Sequence, residues 1–462
     1  MLDTIGLAPK TQPHLPRPPV TTRERNQLEA FLTLRRNPLE LWGERAYELD
    51  VIPGKFLGRA QLFVNDADAI KHVLLTNADN YRRNVGTLRV LRPVLGNGLF
   101  LSERDEWRHQ RRTIAPAFAP RTMPILARHV AHASEAAEAT LAAGAGRPVE
   151  LLRPLQHLAL TIAGQSMFSL EMADFGAELR EMLMDYALKF AKPGFLDLLL
   201  PAGVASPLDR GRAAFRPRWL ALLDRMIDAR ETQPARPDAP RDLFELLATA
   251  RDPETGEGFD RETLRDQVAT MILAGHETTG VTLFWACYLA ALMPEHQQAI
   301  AEEVAELDLS SDGAAAALRS LPRTRAHVDE ALRLYPPAFL IVREAIEADE
   351  VGGFPVAPGT VISMSPWVLH RHRKLWDRPE RFDPSRFLPG GPPPPRYAYM
   401  PFGAGPRICV GAQFALTEAT LVLARLVQRF RIELVGRGYV VPRGLVTTQP
   451  DRPVRFVLTS RR

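Results

Sequence analysis

The sequence predicts a mainly helical fold with small β-sheets, an α+β chain built around one core. Apolar residues recur at spacings of three and four through Leu-, Ala- and Arg-rich stretches, the period of a helix with one buried face. Short Val- and Ile-rich runs occur near residues 51 to 65, 341 to 364 and 440 to 460, enough for small sheets only. The 462 residues are 46% hydrophobic and no linker divides them, so residues 31 to 462 read as a single domain. Residues 1 to 30 read as an extended arm carrying Pro13, Pro16, Pro18 and Pro19.

Along the chain, Leu88, Val90, Leu91, Val94 and Leu95 alternate with Arg82, Arg83, Arg89 and Arg92. Trp107 and Arg111 then share a helical face, with Arg104, Arg108 and Arg112 as an adjacent stripe. Pro193, Gly194, Pro201, Gly203 and Pro207 interrupt the helices between Lys189 and Pro207. Loops are expected at Gln233 to Pro240, Asp252 to Gly258 and Gly390 to Pro395.

A long apolar helix is expected from about Arg261 to Met293. It contains Ala274-Gly275-His276-Glu277-Thr278-Thr279, where Glu277 and Thr278 form an acid-alcohol pair able to organise water and deliver protons. The Thr278 hydroxyl can bond locally and loosen the helical ladder. His276-Glu277 begins the zinc-protease pattern H-E-x-x-H, but the fifth position is Gly280, so two histidines cannot share a metal there. His276 reads as a packed helix residue, and Cys287 on the same helix as a small core residue.

Glu330 and Arg333 stand at i and i+3, close enough to pair on one helical face. They are followed by Tyr335-Pro336-Pro337 and later by Phe382-Asp383-Pro384-Ser385-Arg386-Phe387. The most informative run is Phe402-Gly403-Ala404-Gly405-Pro406-Arg407-Ile408-Cys409-Val410-Gly411. Thiolate is the metal-binding form of cysteine, and a turn lined with backbone N–H groups can hold its charge. Gly405 and Gly411 permit a tight turn and close approach to a flat macrocycle. Arg407 suits a carboxylate, and Phe402 would cover the sulfur.

With these motifs the chain resembles the cytochrome P450 family, the haem-thiolate monooxygenases, from about residue 30 to its end. The resemblance implies the P450 fold, with haem held between the long oxygen-binding helix and the helix after the cysteine loop. It implies Cys409 as axial ligand to the iron of haem b, and Glu277 and Thr278 as the catalytic proton relay. Trp107, Arg111, Ala274, Arg343, Phe402, Gly405, Arg407 and Gly411 are then haem contacts. Glu330, Arg333 and Arg386 interlock to support the cysteine loop.

By the same match the substrate pocket draws on Leu88, Leu91, Leu95, Met271, Ala274, Ala338, Phe339 and Val446. This lining is largely apolar, as ligand pockets generally are. It suits a medium-sized lipophilic substrate such as a terpenoid or fatty acid, hydroxylated with one atom of dioxygen. Arg82, Arg83, Arg89 and Arg92 stand near the entrance, where they could hold a carboxylate, stay solvated or face a propionate. The region from Lys189 to Pro207 corresponds to the family's lid.

Composition narrows the remaining choices. The formal charge of +4 comes mostly from arginine, and no aromatic-interleaved basic tract points to nucleic acid. No apolar run of about 18 residues and no signal peptide is seen, so a cytoplasmic monomer without a membrane anchor is expected. Two cysteines exclude a disulfide framework. The chain ends about fifty residues after Cys409, so electrons from NAD(P)H are expected through a separate ferredoxin or flavodoxin and its reductase. The arginine stripe around Arg108 is a candidate docking face for that acidic donor. A peroxide-using or rearranging haem-thiolate enzyme and a haem-thiolate gas sensor or binding module are the competing readings. The acid-alcohol pair argues against both.

Overall fold

The computed structural model describes residues 13–168, 175–201, 203–232, 242–436 and 439–461. The loop expected at Gln233 to Pro240 lies outside them. The first helices are α1 (Gln27–Arg36), α2 (Ala67–Lys71), α3 (Val85–Leu95), α4 (Arg104–Ile114), α5 (Met123–Ala143) and α6 (Leu152–Phe168). Next come α7 (Gly176–Lys189), α8 (Phe195–Leu199), α9 (Pro207–Glu231), α10 (Leu243–Ala248) and α11 (Arg261–Leu292). The last are α12 (Pro294–Val304), α13 (Ala314–Ala317), α14 (Pro322–Leu334), α15 (Pro366–Leu369) and α16 (Ala412–Arg429).

Most strands fall where the Val- and Ile-rich runs placed them, while β3, β4 and β9 lie outside those runs. In chain order they begin with β1 (Val51–Phe56), β2 (Arg59–Val64), β3 (Tyr81–Arg82) and β4 (Pro148–Glu150). They continue with β5 (Ile341–Ala345), β6 (Asp349–Val351), β7 (Phe354–Val356) and β8 (Val361–Met364). The last four are β9 (Phe430–Leu434), β10 (Pro442–Gly444), β11 (Thr448–Pro450) and β12 (Arg455–Ser460). The largest sheet runs β1-β2-β8-β5-β3, with β2 and β8 parallel and its other pairs antiparallel. A second sheet runs β4-β12-β9, and β6-β7 and β10-β11 are hairpins. The fold is therefore mostly helical with small sheets.

Helix α11 organises the core. Asp260 caps its first turn by accepting the Thr263 N–H at 2.7 Å, and α12 begins at Pro294, whose missing N–H marks the break. From Thr279 to Ala290 every residue is buried, the state of a helix that is packed on all sides. Gly280 explains how α6 comes so near: a Cβ there would lie 2.7 Å from the Gln156 Cα. Helix α16 is likewise buried from Leu416 to Val427, packed against α5, α11, α12 and α14.

The arm is shorter than its expected limit at residue 30, because Asn26 and Glu29 form a capping box that starts α1 at Gln27. Its proline-rich part is tied to the core, where Tyr335 donates its hydroxyl to the Pro16 carbonyl at 3.0 Å and Arg17 pairs with Glu380 at 2.8 Å. Asp349 links the β6-β7 hairpin to the main sheet. It accepts Tyr81 Oη at 2.5 Å and Asn77 Nδ2 at 2.9 Å, and meets His72 Nε2 at 2.8 Å. Cys287 is fully buried, and burial pushes its thiol up to about 12. Among the described residues, no helix is long and apolar enough to cross a membrane.

Candidate active site

The Cys409 loop is a closed turn. The Cys409 N–H donates to the Phe402 carbonyl at 2.9 Å, and the Ile408 N–H to the Gly405 carbonyl at 3.1 Å. Gly405 has φ +71°, and a Cβ on it would lie 1.9 Å from the Leu74 carbonyl oxygen. The close approach expected of Gly405 is therefore made to the Leu74 backbone. Gly411, at the N-cap of α16, has an ordinary φ of −90°. The turn presents Cys409 just before α16 with an accessible side chain. Burial still pushes the thiol up, while the Gly411 N–H and the Arg111 guanidinium favour its ionised form.

Three guanidiniums gather nearby. Arg407 donates to the Ser102 carbonyl at 2.9 Å, pairs with Glu103, and lies 4.6 Å over the Trp107 ring. Arg343 donates to the Val342 carbonyl, and burial followed by repulsion from Arg407 pulls it down to about 10. Arg83 is held well below its ordinary value by burial and by Arg343 and Arg407, and its Nε is buried without a partner. Glu103 acts on all three, and the other nearby acid, Asp79, is paired with Arg108. The cluster thus carries more cationic charge than its carboxylates balance.

On α11, Thr278 donates its hydroxyl to the Ala274 carbonyl at 2.6 Å, the local bond expected of it. Ala274 is exposed in mid-helix, and nothing lies within 4 Å of a Cβ added to Gly275, so the small pair opens on free space. Glu277 Oε1 accepts the Thr447 hydroxyl at 2.9 Å and the Gln449 side-chain amide at 2.7 Å. Burial pushes the Glu277 carboxyl up, with those two bonds acting against it. His276 is half-buried, and desolvation followed by Arg180 and His157 pulls it down to about 4.

Glu330 and Arg333 pair with no exposure, and Arg386 Nε lies 3.7 Å from the same carboxylate. Glu330 also accepts the Asp383 N–H at 2.8 Å. His370 continues the link, bonding the Arg333 carbonyl through Nδ1 and accepting the Met400 N–H through Nε2, both at 2.9 Å. A short chain of bonds therefore joins α14 to the segment that leads into the cysteine loop.

The remaining arginines find partners that their spacing did not show. Arg111 donates to the Ile408 carbonyl at 2.9 Å, so it lies against the cysteine loop. Arg89 is buried and spent on the segment that leads into α9. It donates to the carbonyls of Leu200 at 3.2 Å and Val204 at 2.6 Å and to that of Pro201, and pairs with Asp209 at 3.3 Å. Arg82 pairs with Glu344 at 2.7 Å, while Arg92 is exposed. In the stripe, Arg108 pairs with Asp79 and Asp105 and Arg112 with Asp252 and Glu254, leaving Arg104 exposed.

Of the expected pocket residues, Ala274, Ala338 and Val446 are exposed, and Leu88, Leu91 and Met271 are partly buried. Leu95 and Phe339 are buried in core packing, Phe339 so close to Gly444 that a Cβ there would meet its ring at 2.9 Å. Phe402 packs at the edge of the largest core cluster. Glu103, His370, Thr447 and Gln449 were not expected at the site. One signal for the last two was present: polar residues two apart in an extended run share a face.

The cytochrome P450 family profile matches residues 49–449. The chain is 34% identical over 422 residues to cyclooctatin synthase of Streptomyces melanosporofaciens, with 89% of each protein covered. It is 30% identical over 434 residues to pentalenene oxygenase of Streptomyces avermitilis, covering 93% of this chain and 94% of that protein. Among solved structures it is similar to the haem domain of cytochrome P450DA, with TM-score 0.81, 24% identity and 97% of each chain covered. The match over most of its length places the chain in the cytochrome P450 family, as an oxidoreductase of the monooxygenase class.

Proposed function

We propose that this chain hydroxylates a terpenoid with haem b, which the Cys409 thiolate would hold by its iron, with Glu277 and Thr278 as proton relay and electrons drawn from NAD(P)H through a ferredoxin or flavodoxin. The observation that carries the haem assignment is the cluster of Arg83, Arg343 and Arg407. Haem brings two propionates, and guanidiniums with surplus charge and a buried unpartnered Nε fit them. The accessible Cys409 thiol and the open space at Ala274 and Gly275 fit the macrocycle and a small gas molecule.

When bound, haem supplies dioxygen binding and oxidation of a substrate C–H bond, with one oxygen atom entering the product and the other leaving as water. The chain's own residues do the rest. Trp107 and Phe402 exclude water around the ligand loop, while Arg111 ties α4 to it. Glu277, whose affinity for a proton is raised by burial, passes a proton that solvent can replace, and Thr278 provides a hydroxyl through which it moves. Exposed Arg104 offers an acidic electron donor a point of attraction.

Two things support a terpenoid. The accessible lining is apolar at Ala274, Ala338 and Val446. Two relatives are named for terpenoids, cyclooctatin and pentalenene. The test is an optical titration of the ferric protein with pentalenene, palmitic acid and a steroid. A saturable low-spin to high-spin shift with pentalenene, followed by a hydroxylated product, is expected. A shift with palmitic acid alone would overturn the terpenoid assignment.

A further inference from the structure

Glu277 is anchored at one oxygen only. Oε1 accepts both Thr447 Oγ1 and Gln449 Nε2, while no described residue donates to Oε2. A carboxyl oxygen offers two in-plane lone pairs, so these donors fill Oε1 and leave a proton to reside on Oε2. The raised affinity of this half-buried carboxyl for a proton, which desolvation causes, agrees with that arrangement.

The donors are themselves held firmly. Thr447 is buried. Between the two, Thr448 gives its hydroxyl to the Pro336 carbonyl at 2.6 Å, and its own carbonyl accepts Trp285 Nε1 at 2.7 Å. Trp285 belongs to α11, the helix that carries Glu277. The strand is thus locked to that helix at one point and grips its acid at another. Alternation along an extended chain lets residues 447 and 449 face Glu277 while residue 448 is used elsewhere.

We propose that Thr447 and Gln449 are positioning residues of the proton relay: by occupying Oε1 of Glu277 they assign its transferable proton to Oε2 and hold that oxygen in one place. The inference rests on the relay role proposed for Glu277. The proton leaves Oε2 toward the Thr278 hydroxyl and is replaced from solvent, and no electrons change hands at the carboxyl. Neither donor needs to touch substrate.

The experiment compares the haem-loaded wild type with Thr447→Val/Gln449→Leu, Glu277→Gln and Thr447→Ser. An infrared titration follows the protonated carboxyl band that Glu277→Gln abolishes. In parallel, with pentalenene and a surrogate ferredoxin system, hydrogen peroxide released is compared with NADPH consumed. In the double variant the carbonyl band is expected to rise in frequency, because its oxygen has lost two donors. Electron flow into product is expected to fall about tenfold, a fraction of what a lost general acid costs. Thr447→Ser, which keeps the hydroxyl, should match wild type in both.

An unmoved band and unchanged partition in the double variant, with peroxide rising in Glu277→Gln, would overturn the positioning role and leave the relay standing. If Glu277→Gln itself leaves the partition unchanged, the relay reading fails and the positioning role with it. Should the double variant not retain haem, Gln449→Leu alone, at a half-buried position, carries the same infrared test.

Discussion

Arg333 grips Glu330 from one turn along α14, Nε to Oε2 at 2.6 Å and Nη2 to Oε1 at 2.7 Å, with neither side chain exposed at all. The other N–H groups of Arg333 reach the carbonyls of His370 and Pro379 at 2.7 Å and of Arg381 at 2.9 Å. All five donors of the guanidinium are therefore used. This explains how a buried charge is tolerated, since desolvation is offset only where geometry satisfies every donor.

The first prediction follows from that count. Lysine has three donors on a point charge and cannot reproduce the fork, so Arg333→Lys leaves buried acceptors unpaired. Breaking a buried pair of this kind costs about 3–5 kcal/mol, a large part of a domain's total stability. The variant should be recovered with little haem, measured as pyridine haemochrome per chain. Full haem occupancy at wild-type stability would show that the pair does not support the cysteine loop.

What the sequence made legible is mostly short-range. Glu330 and Arg333 are three residues apart, the Cys409 turn closes within eight, and α11 is bounded by a capping aspartate and a proline, so each could be read from local spacing. What it hid is the partner of each long side chain. Arg89 finds its acceptors more than a hundred residues away, and Glu277 finds Thr447 and Gln449 at a separation of 170 and 172. An arginine has several acceptor choices within reach of its flexible stem, and only the assembled fold selects among them. The partners of Arg111 and Arg89 stay hidden for that reason, whereas the local bonds of Cys409 and Thr278 are set by their own turns.

A second prediction concerns Arg89. Its guanidinium ties α3 to the segment before α9, with its donors spent there, so Arg89→Gln removes an anchor of that segment. Binding of pentalenene and of a terpenoid carboxylic acid should weaken equally, by a few-fold, in optical titrations. Selective loss of the acid alone would restore the carboxylate-anchoring role to this residue.

The third prediction is a pH dependence. Burial would raise the Asp349 carboxyl, but hydrogen bonds from Tyr81, His72, the Glu350 N–H and Asn77 bring it down from 3.8 to about 2. A carboxyl depressed by folding adds stability that is fully present above its unfolded value and is lost as pH falls through its folded value. The wild type should therefore lose stability between about pH 4 and pH 2 in part through this group. Asp349→Asn, less stable at neutral pH, should show a shallower decline over the same interval in urea melts. Parallel curves for the two proteins would remove Asp349 from the acid response.

The last prediction separates docking from folding on α4. Arg112 holds Asp252 through two bonds, 3.0 and 2.7 Å, and Asp252 also meets His109 at 2.8 Å, so reversing Arg112 sets two carboxylates together inside the fold. Arg112→Glu should lower stability whatever its effect on electron transfer. Arg104 is exposed and has no ion pair among the described residues, which makes Arg104→Glu the informative substitution. If an acidic donor docks here, Arg104→Glu slows the first reduction of the ferric protein by a few-fold at low salt. The difference should shrink at 0.15 M and above, where charges more than about 8 Å apart are screened. Stopped-flow reduction with a ferredoxin across a salt series measures it. Equal rates for the two proteins at low salt would mean that the donor approaches by another face.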